Sequence, residues 1–251
     1  MPVYIDRAEI RAEAKELLRT ARVSPFRFTL LFLAIDLVLD EISTAINYML
    51  GDGVSVIPFP FSFVNILITL LATVLLAGYV CYCLGVCRGE AMPYDSLFDA
   101  FPFAGKIILL DLLVGVLTGL AAMLFIVPGI VLALSYSLAV FHLCEEPELG
   151  VIEAMRRSRQ EMRGHKGRLF VLLLSFWPLL LAAALLMGLF EHFLAGCFPA
   201  TLGGELLATL VFGVLEGCVT IYLLPYLRLS TVGFYHRVTA PPEDPTGDLI
   251  L

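Results

Sequence analysis

Polar positions along this chain are gathered into blocks, and the apolar intervals between the blocks set the predicted elements. Residues 6–22, "DRAEIRAEAKELLRTAR", mix charged and apolar positions in the manner of an amphipathic helix. Six long apolar intervals follow, at residues 26–50, 62–87, 106–126, 130–144, 169–189 and 205–227. About 20 apolar residues suffice to cross some 30 Å of hydrocarbon as a helix. The pattern therefore predicts an all-α polytopic membrane protein with six transmembrane helices. Between the third and fourth intervals, Val127, Pro128 and Gly129 predict a tight break, because proline removes a helical donor and glycine permits a turn.

The polar block before the fifth interval is itself structured. Pro147 suits a first helical position and Gly164 the position after a last one. Glu145, Glu146 and Glu148 crowd its start and Arg163, His165 and Lys166 its end, which complements a helix dipole. Ile152, Met155 and Met162 fall near one face, so the expectation is a helix lying on the membrane surface. A weak repeat emerges. Amphipathic stretches at 7–22, 94–101 and 147–163 each precede a pair of apolar intervals, which predicts three helical hairpins in parallel. The expected divisions are an amphipathic cytoplasmic helix at 1–25, a transmembrane domain at 26–237 and a flexible, acidic, proline-rich tail at 238–251.

Composition strengthens the membrane reading. Of 251 residues, 59% are hydrophobic and 16% charged, against roughly a quarter charged in a soluble domain; the mean hydropathy is +0.91. The net charge of −7 argues against nucleic-acid partners. The amphipathic opening lacks a short apolar core with a cleavage site, so no removable signal is expected there. Six cysteines, Cys81, Cys83, Cys87, Cys144, Cys197 and Cys218, lie in or beside apolar runs without the spacing of a disulfide framework.

The cations give the orientation. Arg7, Arg11, Lys15, Arg19, Arg22 and Arg27 precede or open the first interval; Arg88 and Lys106 flank the loop between the second and third. Arg156, Arg157, Arg159, Arg163, Lys166 and Arg168 fill the loop before the fifth, and Arg228 and Arg237 follow the sixth. With six crossings all 16 fall on one side, which places both termini in the cytoplasm of a bacterial cell by the positive-inside rule. The block at 156–168 is thus an orientation signal first, and its six cations are also candidates for contact with anionic lipid headgroups.

Three stretches carry a family resemblance: "LFIVPGIVLALSYSLAVFHL" (124–143), "EAMRRSRQEMRGHKGRLFVLLLSF" (153–176) and "YLLPYLRLSTVGFY" (222–235). With the basic opening helix "RAEIRAEAKELLR", they resemble the bacterial membrane family of unknown function 975 (DUF975) over nearly the whole chain, to about residue 236. The V-P-G-I break with its S-Y-S and the M-x-G-H-K stretch are the most specific parts; Gly167 stands where an aromatic is expected after the lysine. That family resembles, more distantly, the membrane portion of some glycerophosphodiester phosphodiesterases. The resemblance implies an architecture and no particular activity.

Ionisable groups within a span are costly and mark candidate sites. Glu216 sits in the middle of the sixth interval. Asp36 and Asp40, four residues apart, share a face in the first, with Glu41 adjacent. Together they could hold a cation or line an aqueous path; alternatively Glu216 is a neutral, hydrogen-bonded helix contact and the first helix borders a wet vestibule. Lys106 and Asp111 read as interfacial, as do Glu191 and His192. Cys83, Cys87, His142 and Cys144 lie at one depth but lack a metal-binding motif, so no metal or cofactor is expected. No catalytic or nucleotide motif is present, and the protein is not expected to be an enzyme. Two functions remain. One is a small transporter or channel-like protein binding a cation or proton-coupled solute through Asp36, Asp40 and Glu216. The other is a membrane scaffold binding lipids or a partner through its basic surface helices, with self-association compatible with either.

Overall fold

The computed structural model describes residues 7–21, 23–50, 59–194 and 201–239. Arg22, most of the loop between the first two intervals, Cys197 and the tail from 240 lie outside the described residues, as does the Glu191 side chain. The described residues form ten α-helices: α1 (Arg7–Thr20), α2 (Pro25–Leu50), α3 (Phe59–Cys87), α4 (Ala104–Leu124), α5 (Ile126–Tyr136), α6 (Ala139–Glu145), α7 (Val151–Glu161), α8 (Lys166–Leu174), α9 (Trp177–Leu194) and α10 (Leu202–Thr239). No strand occurs among the described residues.

Among the described residues five stretches are long and apolar enough to cross a membrane: Phe63–Cys87, Tyr94–Leu124, Ile126–Glu145, Trp177–Leu194 and Leu202–Thr239. Helix α2 has the length, but every window of span size within it contains Asp36, Asp40 and Glu41. The chain is therefore a helical membrane protein in which five of the six expected crossings meet the criteria of length and composition.

Several expected boundaries move, each for a local reason. The break after the third span falls at Phe125, whose backbone is extended (φ −154°, ψ 140°). Pro128 instead lies in the first turn of α5, where its missing N–H costs nothing. Gly129 then lets α5 close onto α4: a β-carbon there would stand 2.7 Å from the Ala122 β-carbon. The fourth span is interrupted between α5 and α6, and the fifth between α8 and α9. The short amphipathic stretch at 94–101 forms 3₁₀ turns, Tyr94–Phe98 and Phe101–Phe103. Helix α7 begins at Val151 rather than Pro147, and Gly164 ends that block with φ +82° as glycine permits. Helix α10 is far longer than its apolar interval, about 57 Å at 1.5 Å per residue, and it continues through Pro225 to residue 239.

The dense core sits at the end where the charged residues cluster. Ile10, Ala14 and Leu18 of α1 pack into it with Val232 and Tyr235 of α10, so the N-terminal helix is part of this core. Phe28 stacks on Tyr82 (ring centroids 3.6 Å, 7°), and Thr29 pairs with the Tyr79 hydroxyl at 2.7 Å. Helix α7 is also docked here rather than laid on a lipid surface. Val151, Ala154, Met155 and Ser158 are buried, whereas Ile152, expected on the apolar face, is 70% exposed.

Away from that end the helices separate. No described side chain of α9 is buried within the chain, and Met123, Leu124, Phe125, Ile126 and Val127 at the α4–α5 tip are all exposed. Apolar side chains left outward in this way are the surface a bilayer covers. The three expected hairpins are not equivalent: α4 and α5 pack closely, but the main partner of α2 is α10, and α9 meets its neighbours lightly.

Candidate functional site

At the α2–α10 junction α10 carries small residues at Gly213 and Gly217, one turn apart, in the stretch "GVLEG". A β-carbon at Gly213 would come within 2.4 Å of Leu37 Cδ1, and one at Gly217 within 3.9 Å of Leu33 Cδ1. Gly213 thus leaves room for the Leu37 side chain of α2, and Glu216 is carried to the same junction.

Asp36, Asp40 and Glu216 line one cavity of about 600 Å³ between these helices, together with Gly213, Gly217 and Thr220. Asp36 is half-buried; Asp40 and Glu216 are exposed. Both Asp40 and Glu216 act electrostatically on Asp36. None of the three carboxylates is hydrogen-bonded within the described residues, so no hydroxyl or backbone group of the chain spends their lone pairs. Ile221 also lines the cavity; its carbonyl has lost its helical donor, because the residue four positions on is Pro225. Three carboxylates thus border one mostly apolar recess. Glu41 turns elsewhere, into a neighbouring cavity of about 330 Å³ with Leu206 and Leu210, where its Oε1 is buried and unpartnered.

Polar rungs brace α2 against α3 and α10 beyond this site. Ser43 donates to Asn65 Oδ1 (3.2 Å), and Asn65 Nδ2 donates to Asn47 Oδ1 (3.1 Å), tying α2 to α3. Thr44 and Thr209 meet at 3.4 Å across α2 and α10. Sequence reading missed these rungs, although an asparagine inside an apolar run was a visible signal.

The charged end is held by ion pairs. Arg88 pairs with Glu145, whose Oε2 accepts the Tyr235 hydroxyl at 2.5 Å. His142 Nε2 meets Glu161 at 2.8 Å, and Arg237 reaches Glu13 at 3.2 Å. Lys106 donates to the Pro147 carbonyl at 2.6 Å. Among the six headgroup candidates, Arg156 pairs with Glu153 and Arg157 with Glu146, each at 3.0 Å. Arg159 and Arg163 are exposed, while Lys166 and Arg168 are half-buried. The His142 ring is thus engaged by Glu161 and Tyr235 rather than by the cysteines. Among the described residues no group of three His, Cys, Asp or Glu is placed to hold a metal ion.

Comparison with known proteins agrees with this architecture. The family described as "Protein of unknown function (DUF975)" matches residues 1–141 and again residues 125–241. A UPF0259 membrane protein of Sodalis glossinidius (strain morsitans) is 35% identical over 126 residues, which is 50% of this chain and 46% of that protein. The chain thus spans about half the length of the curated relative it matches. No solved structure matches. With matches that together cover nearly its whole length, the chain belongs to the DUF975 family, and its helices are those of a membrane protein.

Proposed function

We propose that this protein is a small transporter or channel-like protein of the bacterial cytoplasmic membrane, binding a cation or a proton-coupled solute at Asp36, Asp40 and Glu216. One observation carries the reading: acids from two helices, 176 to 180 positions apart in sequence, line a single cavity without hydrogen-bonding partners among the described residues. A carboxylate facing hydrocarbon is penalised by several kcal/mol, roughly 2.5–3.5 on insertion scales. Three together are tolerated where water, protons or a cation reach them. On this reading α2 is the sixth crossing, its acids turned to a wet cavity, and the charged end with both termini faces the cytoplasm. No reaction is assigned. The likeness to the membrane portion of glycerophosphodiester phosphodiesterases rests on sequence pattern alone and brings no hydrolytic chemistry to this chain.

A scaffold role is the second reading, supported by the exposure of Arg159 and Arg163 beside the apolar belt. It is weakened by Arg156 and Arg157, which are already paired with acids of the chain. Proton and cation flux into liposomes containing purified protein separates the two. Transport predicts flux in the wild type that falls at least about tenfold in Glu216→Gln and Asp36→Asn, the loss expected when an essential ionisable group is neutralised. Unchanged flux in both variants removes the carboxylate site.

A further inference from the structure

Arg228 lies 12 residues beyond Glu216 on α10, about 18 Å further toward the charged end. Its Nε is buried and has no hydrogen-bond partner, and no carboxylate lies within ion-pair distance of it among the described residues. The groups acting on it are the Cys83 thiol and the Tyr79 phenol, both neutral groups of α3, and the Tyr79 hydroxyl is occupied by Thr29. An arginine held this way keeps unspent donors and an uncompensated charge.

Arg228 also lines a cavity of about 180 Å³ between α3, α4 and the α5–α6 break. Most of the wall is apolar, with Leu76, Val80 and Ile107 among its residues. The other charged group on that wall is Asp111 of α4, which makes no ion pair with Arg228. The cavity therefore presents one cation and one carboxylate, separated, in an apolar setting. A simple anion would meet Asp111 as a repulsion and a simple cation would meet Arg228. A ligand carrying both charges satisfies both. Lys106, one and a half turns before Asp111, is bonded to the Pro147 carbonyl of the charged end, so Asp111 lies about 7.5 Å inward of it.

We propose that the Arg228–Asp111 cavity binds the headgroup of a zwitterionic aminophospholipid, with its phosphate on the Arg228 guanidinium and its ammonium on the Asp111 carboxylate. The guanidinium fork suits two phosphate oxygens at once, the carboxylate accepts N–H donors, and the apolar wall leads to the surface where acyl chains lie. This site is separate from the α2–α10 cavity and does not depend on its role.

Native mass spectrometry of the full chain, incubated with phosphatidylethanolamine, with phosphatidylglycerol of the same acyl chains, or with soluble phosphoethanolamine, tests it. The wild type is expected to retain phosphatidylethanolamine about tenfold over phosphatidylglycerol, a difference of about 1.4 kcal/mol. Asp111→Asn is expected to bring the two lipids to within about twofold, and Arg228→Gln to lose both. Asp111 is exposed on α4, so Asp111→Asn carries the test even if Arg228→Gln fails to fold. Equal retention of the two lipids by the wild type overturns the proposal, as does an unchanged preference in Asp111→Asn. Displacement of the lipid by soluble phosphoethanolamine assigns the site to free zwitterions and overturns the lipid reading.

Discussion

Gly78 of α3 lies directly against the backbone of Leu97, so that a β-carbon at position 78 would stand 1.9 Å from the Leu97 carbonyl oxygen. The obstacle is main chain, which cannot swing aside as a side-chain end can. This contact seats the 3₁₀ turn that carries the fully buried Leu97 onto α3. Gly78→Ala is therefore expected to lower stability by about 1–3 kcal/mol, the usual cost of overpacking. Thermal unfolding in detergent checks it, and an unchanged midpoint would mean that the turn and α3 are not in contact.

A serine plugs the interruption in the fourth span. Where α5 gives way to α6, the Leu138 N–H has no helical acceptor and donates to Ser158 Oγ at 3.2 Å, while Ser158 donates to the Ser135 carbonyl at 2.9 Å. Ser158 is fully buried. Ser158→Ala strands a donor and an acceptor together and is expected to cost about 1–3 kcal/mol. Ser175, whose hydroxyl bonds back to Leu172 in the turn just before it, serves as the contrast. Ser175→Ala should stay within about 0.5 kcal/mol, so equal effects of the two substitutions would contradict the plug.

His165 gives the charged end a dependence on pH. Burial lowers its pKa below the ordinary 6.5, and the nearby Arg168 lowers it further; its Nδ1 is enclosed without a partner. The unfolded chain therefore binds the proton more readily than the folded one. The stability from a neutral His165 is fully present above the unfolded value and declines as pH falls from there through the folded value. The thermal midpoint is expected to drop between about pH 7 and pH 5, and to drop less in His165→Gln. A steeper decline in the variant would place the titrating group elsewhere.

Much of this was legible in the sequence, but unevenly. The acids at 36, 40 and 216 stood out because charge inside an apolar interval is rare, and they do share a cavity. That α2 would choose α10 over α3 was hidden, since pairing depends on which faces can approach; the spacing of Gly213 and Gly217 was the one local sign of it. The V-P-G stretch pointed to the correct neighbourhood but the wrong residue, because proline in a first helical turn starts a helix as readily as it ends one. Ile152 was assigned to a buried face by its chemistry, whereas the docking of α7 is set by the smaller Ala154 and Ser158, which admit the neighbouring helices. Arg228 looked like one more basic flank, and nothing in its sequence neighbours indicates that its Nε is sealed without a partner.

The shared cavity itself is most directly tested by chemical modification. A hydrophobic carbodiimide reacts with protonated carboxyl groups in apolar surroundings, and mass spectrometry locates the adducts. If Asp36, Asp40 and Glu216 form one ion-accessible site, Glu216 and Asp36 are modified in the native protein, modification at one suppresses it at the other, and protons or a suitable cation compete for both. Independent modification at the two positions, indifferent to pH and to every cation tried, would contradict the account.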